Sequence, residues 1–285
     1  MKQFLVVLML LSVPRAYAQD SVTVTDGFRF KPEFTGRKVI ATSAIGGLLV
    51  TSLIWSYDTW WRDAGRPFHF QSENWLNGPF LGLDKVGHFY TSYFYFHTFR
   101  NIMLWGGYEP SKSDLWATIA SAFFAVAIEV GDGITPRYGF DYQDLVFNFS
   151  GIGYGILQSK IPFLKNFNFK WSYIPDGGYR FPLRFTENYD AHTYWLTCNV
   201  NNLLPESIEP YWPDFINVAV GMGVDNHATK REFVIGLDLN LESLFRTDNE
   251  DWLLVERTVN LFHFPAPAIK FTEDKEPRYY LFHRN

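Results

Sequence analysis

The chain has 285 residues, enough for one large domain or two smaller ones. Charged residues and aromatic residues each make up 19% of it, a balance that argues against disorder and for extensive burial in protein or lipid. The formal net charge of -5 comes with no basic stripe, which speaks against nucleic acid as a partner, and the single cysteine, Cys198, excludes an intrachain disulfide and a multi-cysteine metal site.

In chain order, the first element is a targeting segment. Lys2 supplies a short positive region, Phe4 to Leu11 an apolar one, and Ala16-Tyr17-Ala18 an A-x-A cleavage pattern before Gln19. Residues 1–18 therefore read as a signal peptide, with an uncleaved anchor as the alternative. Export is the expectation. No cysteine stands at the cleavage point, so an acylated N-terminus is not expected.

Four apolar segments follow. Val39 to Trp55 carries no charge over a length at the lower limit for a membrane span. Gly46-Gly47 offers it a face for close helix contact, and Trp55, Tyr57, Trp60 and Trp61 cluster at its end as interfacial aromatics do. A buried core helix is the alternative. The second segment runs from Lys85 to about Trp105, with Asp84 as its expected N-cap. The third is expected to start at Asp114, another candidate cap, and to stop at Gly131 and Gly133. The fourth runs from about Tyr142 to Gln158, where Gly151, Gly153 and Gly155 cost helix propensity but permit close packing.

Beyond about residue 160 prolines recur and alternating patterns take over. Asn217 to Val224 and Phe233 to Leu241 each keep one apolar face around the polar Asp225-Asn226-His227, which predicts an antiparallel hairpin. That face has to lie on a core, a membrane surface or a partner. Two further strands are expected near Leu253 to Phe262 and Arg278 to Phe282. The fold class expected is α+β. An apolar four-helix membrane-associated bundle (19–160) precedes a β-rich region (161–285).

Chemistry concentrates in the helical part. Asp84 and His88, Glu129 and Asp132, and Asp144 and Asn148 each lie one turn apart inside apolar sequence. A buried carboxylate without a partner costs several kcal/mol or shifts its pKa, so such groups seek one another, a counter-charge or a cation. Singly, each reads as a cap or a satisfied core group. Together, Asp84, His88, Glu129, Asp144 and Asn148 point to one convergent cluster, with Lys85, Arg100 or Arg137 as candidate partners. Asp84 beside His88 would raise the imidazole pKa and fix its tautomer, which suits acid/base work or ligation. No cofactor is expected, although Asp, Glu, His and Asn are acceptable ligands for a divalent cation such as Mn, Mg or Zn. No H-E-x-x-H spacing, nucleophile elbow or phosphate loop is present.

The motif order D-K-x-x-H-F (Asp84, Lys85, His88, Phe89), a helix ending in Glu129, then D-x-x-x-N-x-x-G (Asp144, Asn148, Gly151) resembles the YfiM-like family of predicted periplasmic lipoproteins of unknown function. More distantly it is similar to VanZ-like membrane proteins. The resemblance covers roughly residues 75–160 and implies a compact, helical, membrane-associated unit on the exported side of a membrane, without an established reaction. The expected function is an exported envelope protein on the periplasmic side whose cluster organises the helices or binds a membrane lipid or envelope component. The alternative is a hydrolase or transferase acting on a lipid-linked or cell-wall substrate with His88 as acid/base.

Overall fold

The computed structural model describes residues 24–31, 33, 35–72, 74–75, 77–175, 178–179 and 188–283; the signal-peptide reading falls outside them. Helices fill the N-terminal half and an antiparallel sheet the C-terminal half. A two-stranded clip, β1 (Val24–Thr25) and β2 (Phe28–Arg29), precedes α1 (Gly36–Ser56), which runs on as a π-helical turn over Tyr57–Trp61. Then come α2 (Leu83–Trp105), α3 (Pro110–Asp132) and α4 (Tyr142–Lys160).

Local chemistry accounts for these boundaries and corrects two of the expected caps. The α1 N-cap is Thr35, whose hydroxyl accepts from the Lys38 amide. Asp84 does not cap α2: Gly82, at φ 84°, makes the left-handed turn into the helix, and Asp84 sits in the first turn. Asp114 does not cap α3, because Pro110, pre-set for a first helical position, starts the helix a turn earlier. Asp114 instead lies inside, accepting from Arg100 Nε at 2.6 Å and pairing with Lys160. Arg100 reaches Asp26 at 2.8 Å as well, which ties the β1–β2 clip to the helices.

The second helix is the central one, packing on α1, α3 and α4. Phe96, Phe99, Ala117 and Ile152 form the core between α2, α3 and α4. The contact of α2 with α4 depends on Gly151, where a Cβ would stand 2.1 Å from the Phe89 carbonyl oxygen, and on Gly155, where it would meet the Phe96 ring at 2.4 Å. Gly153 faces open space. Gly46 and Gly47 do too, so the close contact expected of that pair is not made. Two of the helices are long and apolar enough to cross a membrane by length and composition: Gly36–Trp61, whose most apolar stretch is 11% buried, and Pro110–Asp132, whose corresponding stretch is 44% buried.

The sheet is a six-stranded antiparallel meander of β3 (Phe167–Tyr173), β4 (His192–Cys198), β5 (Ile216–Asp225), β6 (Lys230–Leu239), β7 (Ala268–Thr272) and β8 (Arg278–Tyr280). The expected hairpin is β5–β6, in register from Ile216↔Leu239 to Asp225↔Lys230. The strand expected near Leu253 to Phe262 is corrected: Glu250–Val259 forms α6, following the short α5 (Leu241–Phe245). Asn249 caps α6 through two amides, and Glu250 and Asp251 complement the positive end of its dipole.

Pleat alternation sorts the sheet into two chemical faces. On one, the Phe169 ring lies 4.6 Å from Phe89, and Tyr194 lies 5.7 Å from Tyr90, so β3 and β4 stack on α2. The same face continues across β5–β7, where Val220, Phe233, Ile235 and Phe271 are exposed. The other face is buried and sets charged pairs around a small apolar cluster of Trp195, Ala219, Val234 and Ala268. Lys170 and Asp238, both wholly buried, pair at 2.8 Å, Lys270 meets Glu232 at 3.1 Å, and Trp195 stacks on His263 at 3.8 Å. Cys198 is half-buried on β4.

Candidate functional site

The cluster is built around Lys85. Its side chain is 2% exposed, and its ammonium lies 3.0 Å from Asp84 Oδ2, 3.1 Å from Asp141 Oδ2 and 2.6 Å from Asp144 Oδ1. Burial alone would lower its pKa, but the carboxylates of Asp144 and Asp84 outweigh that and hold it well above the ordinary lysine value. Lys85 is thus the counter-charge. Arg100 is engaged elsewhere, with Asp26 and Asp114, and Arg137 is exposed.

One turn along α2, His88 stands between the other two helices. Its Nδ1 is 3.5 Å from Glu129 Oε1 on α3, and its Nε2 is 3.5 Å from Asp144 Oδ2 on α4. Both separations are longer than the charge-assisted hydrogen bonds a doubly donating imidazolium would make, typically about 2.7–2.9 Å. Burial disfavours the charged imidazole, yet Asp144, Glu129 and Asp84 together raise its pKa above the ordinary histidine value. Asn148 completes the set. Its Nδ2 is 3.3 Å from both His88 Nδ1 and Glu129 Oε1, while its Oδ1 accepts from the Ser92 hydroxyl at 2.8 Å.

Glu129 is 1% exposed at the end of α3. Burial, reinforced by Asp144 and Asp132 against an opposing pull from His88, pushes its carboxyl up to about 8. Asp132, which accepts from Trp61 Nε1 at 2.7 Å, is pushed up to about 6, again chiefly by burial. Glu129 therefore holds a proton near neutral pH in this arrangement.

The structure brings Asp84, His88, Glu129, Asp144 and Asn148 together, from α2, α3 and α4. Two members were underrated in sequence. Asp141 is both the α4 N-cap, accepting from the Gln143 amide at 2.8 Å, and a partner of Lys85. It is positioned by a bridge that binds Phe140 to Phe70. Ser92, one turn beyond His88, orients Asn148; its i+4 spacing from His88 was the available signal.

Asp84, His88, Ser92, Asp132, Asp141, Asp144 and Asn148 form the polar end of a cavity of about 560 Å³, and Glu129 touches His88 and Asn148 from behind that lining. The cavity walls come from α1 (Ser52, Trp55), the π turn (Trp60), α2 (Phe94, Tyr95) and α3 (Phe124, Ala125), with Trp171, Tyr194 and Phe262 contributed by the sheet region. The tryptophans expected at a membrane interface are thus turned inward. Trp55 and Trp60 pack edge to face at 5.0 Å beside the cavity, and Trp61 covers Gly131. The result is an aromatic chamber with carboxylates and an imidazole at one end. It can take a ligand with an apolar body and a cationic or hydrogen-bonding head, and it can hold a proton on Glu129 beside His88.

Residues 73–160, the stretch that holds every member of the cluster, match the model of a family described as predicted periplasmic lipoprotein (DUF2279). No curated protein and no solved structure matches the chain. The similarity fits an exported protein of the periplasmic envelope.

Proposed function

We propose that this is a membrane-associated envelope protein whose cavity binds a lipid or similar amphiphilic envelope component, with the polar end of the ligand at Asp84, His88, Glu129, Asp144 and Asn148. The carrying observation is the shape and polarity of the chamber: aromatic walls of about 560 Å³ lead to one ionisable cluster. Ionisable groups set among apolar helices cost free energy, which favours a working site over a decorative one. The helix α1 is the element we assign to the membrane. Val39, Ile40, Leu48, Val50 and Ile54 leave it with an exposed apolar face, while Ser52 and Trp55 line the cavity behind. The YfiM-like and VanZ-like resemblance of the motif order supports the same reading.

The test is lipid retention. The full chain, solubilised and passed through detergent exchange, is expected to keep a stoichiometric lipid species detectable by mass spectrometry. Ala125→Phe, which fills the cavity, is expected to lose it while keeping a cooperative thermal transition. Equal lipid content in the two proteins, or none in either, contradicts the reading.

A second reading rests on one specific observation, the fully buried Glu129 carboxyl, its pKa raised by burial, 3.5 Å from His88. A neutral carboxylic acid next to an imidazole oriented by Asp144 is a general acid/base arrangement. In that case the chain is a hydrolase or transferase on a lipid-linked or cell-wall substrate, with His88 moving the proton. Turnover of a lipid-linked substrate by the wild type, lost in His88→Gln with lipid retention intact, separates this reading from binding alone.

A further inference from the structure

We infer that the cluster is a divalent-cation site in which His88, Glu129 and Asp144 are the protein ligands, one from each of α2, α3 and α4. This rests on the reading of the cavity as a ligand site and names what completes its polar end. One donor atom from each of the three residues lies within 4.8 Å of the other two. Donors around a cation with bonds of about 2.0–2.2 Å stand roughly 3–4.5 Å apart, so this spacing leaves room for an ion between them. His88 reaches Glu129 through Nδ1 and Asp144 through Nε2, each at 3.5 Å, too long for good hydrogen bonds; only the nitrogen that takes the ion contributes an edge of the site, and the other contact orients the ring.

The charge balance points the same way. The carboxyl groups of Asp84, Glu129, Asp132, Asp141 and Asp144 outnumber Lys85 and His88 in the cluster, and ion binding would displace the proton that Glu129 carries without it. Lys85 takes Oδ1 of Asp144 and leaves Oδ2 facing His88. Asn148 is the outer-shell partner rather than a ligand. Its Oδ1 is occupied by Ser92, and its amide nitrogen faces Glu129 Oε1, where it fixes the carboxylate. One imidazole and two carboxylates with no thiolate suit Zn²⁺ or Mn²⁺ over softer ions. Three protein ligands leave a further position toward the cavity, where the head of an amphiphile with a hydroxyl or phosphoryl oxygen would bind.

The experiment uses the solubilised full chain, stripped with a chelator and titrated with Zn²⁺ or Mn²⁺ by calorimetry, with Co²⁺ absorption as a second readout. The expected result is one ion per chain, and a Co²⁺ band in the visible whose intensity marks fewer than six ligands. Glu129→Gln and Asp144→Asn are expected to weaken binding at least tenfold, whereas Asp274→Asn, on an exposed turn, leaves it unchanged. No saturable binding by the folded wild type, or equal binding by the Glu129 and Asp144 variants, overturns the assignment. The Co²⁺ spectrum of the wild type decides the matter even where a variant fails to fold: a weak octahedral aquo-type spectrum counts against the site. Lipid content is measured on the same samples. Retained lipid without bound cation overturns the metal assignment alone, and loss of lipid from a chain that binds the ion overturns the cavity reading instead.

Discussion

Replacing Lys85 by Met removes one charge and keeps the length and most of the apolar stem. The side chain is 2% exposed, and its ammonium lies within 3.1 Å of Asp84, Asp141 and Asp144. Removing one partner of a buried ion pair costs about 3–5 kcal/mol, because the remaining charge stays desolvated. Asp84 and Asp144 keep some solvent contact, with side chains 11% and 15% exposed, so water can offset part of the lost pairing. That places the expected loss toward the lower end, about 3 kcal/mol, which for a chain of this size corresponds to a Tm decrease of roughly 6–12 °C. The assay is thermal unfolding of the solubilised chain in chelator at neutral pH, followed by intrinsic fluorescence. Adding Asp144→Asn to Lys85→Met is expected to recover part of the loss, since it removes one of the stranded carboxylates, and this coupling is read from the double-mutant cycle. A Tm change under about 2 °C for Lys85→Met, or strictly additive effects of the two substitutions, would refute the placement of this ammonium at the centre of the network.

Three other outcomes follow from the geometry. Glu129 is raised from 4.5 to about 8, and burial with the neighbouring Asp132, Asp144 and His88 sets that value, so the native chain binds more protons than the unfolded one between those limits. Metal-free stability should therefore fall as pH rises from about 5 to 8. Asp132, raised to about 6, and His88, raised above its ordinary value, tilt the profile the same way. In chelator, Glu129→Gln should flatten the curve and be the more stable protein at pH 8; parallel curves for the two proteins would contradict this. Gly151→Ala should separate α2 from α4, since its Cβ would stand 2.1 Å from the Phe89 carbonyl oxygen; we expect a loss of about 1–3 kcal/mol in denaturant unfolding, and a neutral effect would count against that helix contact. Ile40→Ser, Val50→Ser and Ile54→Ser combined should leave the fold intact and shift the chain from the membrane pellet to the supernatant, because those side chains are exposed on α1; unchanged pelleting would remove α1 from the membrane role.

The helices and the members of the cluster were readable in sequence for a simple reason. Apolar stretches of helical length, broken by pairs of polar residues at i and i+3 or i+4, specify both the rod and the side from which those groups project. Their meeting point was inferable from the cost of leaving three buried carboxyl groups apart. Lys85 was harder to place, because a lysine next to an N-terminal aspartate reads equally as a solvated first turn. The misread caps share one cause: a carboxylate near a helix start was taken as the cap, where Gly82 and Pro110 carried the backbone instruction. Leu253 to Phe262 was read as strand, and its opening Leu253-Leu254-Val255 is a short apolar run that fits either element. Asn249 followed by Glu250 and Asp251 was the overlooked helix signal. The strands β3 and β4 went unseen although Phe167 to Tyr173 alternates, since its second face carries Asn168, Lys170 and Ser172, and Lys170 is buried only because Asp238, far along the chain, meets it. The same distance hides the sheet's share of the cavity. Nothing local tells Trp171, Tyr194 or Phe262 that they border a chamber opened by α1 to α3.

The most direct test of the central claim is an experimental structure of the full chain in lipid nanodiscs, examined at the cavity. Elongated density is expected between Trp55, Phe94, Tyr95 and Phe124, with its polar end within hydrogen-bonding reach of His88 and Asp144. A chamber that holds ordered water alone, or that has closed by inward movement of α1, would contradict the claim.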